Sequence, residues 1–93
     1  MKIKLIPSNR EYEMTRFSES YNVRSNQLVL DGNIVTSDTV AALKEEFTNY
    51  TSFEVSTPKA TVTYTDYDLD NIMRGFDEDG TERVTVRFHA KEN

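Results

Sequence analysis

One stretch of this chain repeats its apolar residues at helical spacing behind a capping signal, and it constrains the fold more than any other feature. Val40, Leu43, Phe47 and Tyr50 recur at the interval of an amphipathic helix, with Glu45 and Glu46 turned mostly to water. Ser37 or Asp38 supplies an oxygen for the first free backbone N–H groups, and the Asp38 carboxylate suits the positive end of the helix dipole. Ala41 and Ala42 favour helix and permit close approach to a neighbouring layer. A single helix of this length cannot bury its own stripe, so the remainder of the chain has to provide a sheet for it.

The remainder does alternate at period two. Ala60, Val62 and Tyr64 interleave with Thr61, Thr63 and Thr65, and Val84, Val86 and Phe88 interleave with Thr85, Arg87 and His89. These patterns read as half-buried strands, the first with a threonine face. Lys2–Ile6 forms a first strand ended by Pro7-Ser8-Asn9. A second runs from about Glu11 to Ser18, where Phe17 breaks the alternation of Tyr12 and Met14 and points to a bulge or bend near Arg16. A third covers about Tyr21–Leu30, interrupted at Ser25-Asn26, with Asp31-Gly32 read as a turn and Asn33-Ile34-Val35 resuming extended chain. Phe53–Ser56 follows the helix, with a turn at Thr57-Pro58-Lys59. Leu69, Ile72, Met73 and Phe76 fit a helical turn, yet Asp77-Glu78-Asp79-Gly80 reads as a hairpin turn, and Asn71–Phe76 is assigned as strand. The expected fold is α+β, in the order β-β-β-α-β-β-β: an antiparallel sheet with one amphipathic helix on one face.

Ninety-three residues form one domain spanning 1–93, with no repeat or linker. Leu, Ile, Val and Phe make up about 24% of the chain, above the level at which disorder is the better expectation. With no cysteine, thiol nucleophiles, disulfides and zinc–thiolate sites are excluded. The apolar run at the N-terminus is too short for a signal peptide, and no stretch reaches membrane-span length. The expected location is the host-cell cytoplasm or a virion.

The net charge of −5 is concentrated in the second half of the chain. Phosphate repulsion argues against direct nucleic-acid binding. The most pointed local feature is Asp66-Tyr67-Asp68-Leu69-Asp70-Asn71, with Asp77 at the twelfth position. Carboxylates at alternate positions resemble the opening of a calcium loop, but Asn71 stands where glycine belongs, Asp77 where glutamate belongs, and a strand rather than a helix leads in. No metal site and no cofactor are therefore assigned. If extended, the three aspartates share one side of a strand, and with the next turn they make an acidic ridge. Asp66, Tyr67, Asp68, Asp70, Asp77, Glu78, Asp79 and Glu82 are the candidate partner-binding residues, for a protein partner with a basic surface. Tyr12 and Tyr64 are assigned inward, and Tyr21 and Tyr67 to contact surface. His89, the only histidine, is the fifth residue from the end with no nucleophile placed beside it, and three scattered glycines build no phosphate loop. The chain reads as a non-enzyme.

In style, the segment Phe17-Ser18-Glu19-Ser20-Tyr21-Asn22-Val23-Arg24-Ser25-Asn26-Gln27-Leu28-Val29-Leu30-Asp31-Gly32, followed by one helix and the threonine-rich hairpin to Phe88, resembles small cysteine-free proteins encoded by phages and prophages of Gram-positive bacteria. That resemblance carries over no functional residue. It implies a tail or baseplate accessory acting through protein contacts, with self-association as one form of contact, or a small acidic inhibitor of a basic nucleic-acid-binding surface.

Overall fold

Strand pairing begins with Lys2–Ile6 (β1) and Glu11–Asn22 (β2), which lie antiparallel across the turn at Pro7–Arg10, with Lys2 opposite Glu13. The computed structural model describes residues 1–49 and 52–91, so Tyr50, the last residue of the expected helical stripe, lies outside the described residues. Gln27–Val35 (β3) pairs with β2, and Val40–Asn49 forms the helix α1. Ser52–Ser56 (β4), Thr61–Tyr64 (β5), Tyr67–Phe76 (β6) and Glu82–Ala90 (β7) follow. All seven strands join one antiparallel sheet in the order β5-β4-β1-β2-β3-β7-β6. No helix among the described residues is long and apolar enough to cross a membrane.

The element order is the expected one, but the architecture is mainly β, and the sheet supplies most of its own cover. Phe53 on β4 and Phe88 on β7 stand four strands apart in the sheet, roughly 19 Å if it were flat. Their ring centroids are 4.7 Å apart. The sheet therefore folds over, so that β5, β4 and β1 face β3, β7 and β6, and β2 serves both layers. β1 pairs with β2 only over Glu11–Glu13, whereas β3 follows β2 out to Asn22. The register of β2 shifts between Met14 and Arg16. This is the bulge that Phe17 signalled, and such an extra residue bends a strand and deepens its twist. At the far rim, only Thr65 and Asp66 separate β5 from β6, the first and last strands of the sheet. Asp66 takes a left-handed turn there (φ 61°).

Between the layers lie Ile3, Leu5, Tyr12, Met14, Leu30, Ile34, Phe53, Val55, Tyr67, Val84, Val86 and Phe88. The helix adds Leu43 and Phe47 to the same cluster and lies along β6. Its cap is Thr39 rather than Ser37 or Asp38: the Ala42 N–H donates to Thr39 Oγ1 (3.1 Å) and the Leu43 N–H to the Thr39 carbonyl (3.0 Å). Asp38 is engaged elsewhere, accepting from Arg10 and from the Tyr12 hydroxyl. Val40, expected as an anchor, is exposed, because the first helical turn opens onto a groove beside Leu69 and Ile72 instead of the core.

Two turn assignments change. Ser25-Asn26 closes the β2–β3 hairpin, with the Asn22 side chain accepting from the Arg24 and Ser25 N–H groups and Asn26 in the left-handed region (φ 58°). Asp31-Gly32 is no turn but the middle of β3. Gly32 is there because the bulged strand presses on it: an added Cβ would collide with the Met14 methyl and lie 3.0 Å from the Arg16 carbonyl oxygen. Gly32→Val is expected to cost about 1–3 kcal/mol by overpacking. Gly75→Ala, which meets open space, is expected to be neutral or slightly stabilising. Urea denaturation of both variants checks the contrast, and a neutral Gly32→Val would contradict the close approach. β5 is also less buried than its alternation implied. Ala60 is exposed and Val62 is 47% exposed, because they overhang the core on an edge strand, and only Tyr64 packs inward.

Candidate protein-contact surface

The eight residues assigned from sequence do not form one ridge. β6 separates them into two groups: Asp66, Asp68 and Asp70 at its start, and Asp77, Glu78, Asp79 and Glu82 around its end. A ten-residue strand spans roughly 30 Å, so Asp66 and Asp77 cannot share a cation. The calcium-loop resemblance fails on that geometry. Tyr67, expected at the surface, is buried at the strand start with its ring 5.8 Å from Tyr64 and 6.2 Å from Phe53. It belongs to the core because β6 enters the sheet at Tyr67 with that side chain on the inner face, opposite Ala90.

Arginines neutralise much of the acidic stretch. Arg83 pairs with Asp77 and Arg74 with Glu82, both at 2.8 Å. Arg74 also donates to the carbonyls of Thr36 (3.2 Å) and Asp38 (2.6 Å), tying the hairpin to the segment that leads into α1. Asp79 accepts from the Thr81 N–H (2.9 Å), which holds its carboxyl below the usual value. Asp70 lies at a second register shift, 3.4 Å from His89 Nδ1 and 4.0 Å from Arg87 Nε. His89 is a sheet residue, since β7 continues to Ala90. Among the described residues Asp66, Asp68 and Glu78 have no cation within ion-pair distance.

A different surface emerges on β2. Among the described residues, this strand past Met14 is bonded to β3 alone, so its other side presents backbone N–H and carbonyl groups from Arg16 to Asn22 without a strand partner. The other two edges are blunted. β5 is four residues long, and β6 carries a bulge and is covered by α1. Leu30 is fully buried and stands opposite Glu19, so Glu19 projects from the inner face, flanked on its own strand by Phe17 and Tyr21. Phe17 and Tyr64 are 5.6 Å apart between ring centroids. Burial first, and then the neighbouring Glu19 carboxylate, push the Tyr64 phenol up to about 12; the same two causes raise Tyr67. Tyr21 is 52% exposed and Val23, at the hairpin tip, 82%. Beside them lies a cleft of about 510 Å³ lined by Tyr21, Gln27, Leu28, Ala90 and Lys91.

No family model, curated protein or solved structure matches this chain.

Of the sequence assignments, Tyr21 is exposed as expected, whereas Glu19 is not among the residues assigned from sequence. A signal for Glu19 was present in the sequence. Once Phe17 is taken as resuming the inward face after the bulge, Glu19 and Tyr21 follow it at period two.

Proposed function

We propose that this chain is a non-catalytic module that works through protein–protein contact, and that it serves as an assembly component of the kind its resemblance to phage-encoded proteins implies. The observation that carries this reading is the open edge of β2, where unpartnered backbone groups run beside exposed Tyr21 and Val23. Natural sheets blunt their edges or use them, and an edge left open next to aromatic side chains suits strand addition from a partner. The acidic-inhibitor reading is less favoured, because arginines already occupy Asp77, Glu82 and Asp70.

Proline scanning of the edge tests the reading. Of Ser18→Pro and Glu19→Pro, one removes an N–H directed away from β3 and leaves the β2–β3 ladder whole, and a thermal melt identifies which. Size-exclusion chromatography with light scattering, on chain isolated from the cells that naturally express it, is expected to show a complex. The fold-competent proline variant should lose that complex. A natural chain found alone and monomeric, or a complex indifferent to the proline, would contradict the proposal.

A further inference from the structure

The charge arrangement along the strands specifies what the β2 edge accepts. Carboxylates on strands elsewhere in the sheet sit beside cations: Glu11 and Glu13 beside Lys2 (3.8 and 3.9 Å), Asp31 beside Arg16 (3.1 Å), Glu54 beside Lys4 (3.0 Å), Glu82 beside Arg74 (2.8 Å) and Asp70 beside Arg87 (4.0 Å). Glu19 and Asp68 are the strand carboxylates without one among the described residues; Asp68 lies on the edge strand β6, beside its bulge and along α1, and Glu19 on the open stretch of β2. Phe17 and Tyr21 flank Glu19 on its own strand and the Tyr64 hydroxyl donates to its carboxylate, and a guanidinium or ammonium is attracted both to aromatic rings and to a carboxylate.

We infer that the β2 edge receives an extended basic segment of a partner protein, added as a strand with an Arg or Lys side chain placed against Glu19 and the neighbouring rings. This rests on the protein-contact reading above and names the partner's chemistry. A second copy of this chain does not fit the charge pattern. Two β2 edges paired antiparallel about a two-fold axis place residues of the same face opposite each other, so Glu19 would stand opposite Phe17, Tyr21 or another Glu19. Arg16, the nearest basic residue on β2, lies on the other face and is held by Asp31.

The experiment is a titration of the isotopically labelled full chain, followed by amide NMR. The probes are two peptides, acetyl-Val-Thr-Arg-Thr-Val-amide and its counterpart with Glu for Arg. The arginine peptide is expected to shift the amides of Arg16–Asn22 and to weaken as salt is raised. The glutamate peptide should bind at least about tenfold more weakly, and Glu19→Gln, which keeps the wild-type melt, should remove that preference. Equal binding of both peptides at β2 would leave the edge as a contact site and overturn the basic-segment inference. Shifts confined to Asp66–Asp70, shifts that grow with protein concentration in the absence of peptide, or no shifts at millimolar peptide would each overturn it as well.

Discussion

Phe47→Ala is expected to remove about 3–5 kcal/mol of stability, enough to leave much of the protein unfolded at room temperature if the domain has the usual small margin. Phe47 is 1% exposed, and its ring lies 5.5 Å from Tyr12 and 5.7 Å from Phe88. It joins the helix to both layers of the sheet at once, because Tyr12 sits on β2 and Phe88 on β7. Leu43 is the other helical side chain fully withdrawn from solvent, so the truncation leaves α1 with one apolar anchor and the ties made through Arg74. Urea denaturation read by circular dichroism measures the loss. A change below about 1 kcal/mol would mean that the helix does not pack where the structure has it.

Phe53→Ala should be of similar size, about 3–5 kcal/mol, for a different reason. Phe53 is fully buried and touches the rings of Tyr64, Tyr67 and Phe88. These contacts hold the two layers together. The informative measurement is a double-mutant cycle with Phe88→Leu, for which a coupling of about 0.5–1.5 kcal/mol is expected. A flat sheet would keep the two residues four strands apart and give a coupling near zero, so this single quantity tests the folding-over of the sheet.

Legibility from sequence followed the range of the interactions involved. The helix, the bulge after Met14, the threonine-rich strand and the last hairpin were all visible, because each is written in neighbouring residues: Leu43 with Phe47, Tyr12 with Met14, Asp77 with Gly80. Gly32 misled, since a glycine after an aspartate is the usual mark of a turn. Its actual cause is a carbonyl on the adjacent strand, which no local pattern records. Tyr67 and Val62 misled in the same way, because alternation tells which side a residue faces but not whether the sheet covers that side. The acidic stretch seemed to offer a site because its aspartates are close in sequence. The arginines that quench it come from across the hairpin, at positions 74, 83 and 87, and strand extension then carries its two ends apart. Glu19 was overlooked for the opposite reason, as a lone carboxylate in a serine-rich segment whose significance depends on what does not pair beside it.

The short connection through Thr65 and Asp66 has a consequence for how this molecule can open. It fastens the two outermost strands of one sheet to each other, while the Lys91 N–H donates to the Asp66 carbonyl (2.9 Å) and pins the end of β7 to the same corner. Two residues reach at most about 11 Å between the flanking α-carbons, so the layers cannot swing apart at this rim without first unzipping β5 or the start of β6. On the opposite side, where β2 bends, the layers are joined by the ladders that β2 makes with β1 over Glu11–Glu13 and with β3. With the rim closed at Asp66 and β1 joined to β2 by three residue pairs, partial opening should begin where β1 leaves β2, so the strand edge most available to a visitor is also the one the molecule can most easily yield.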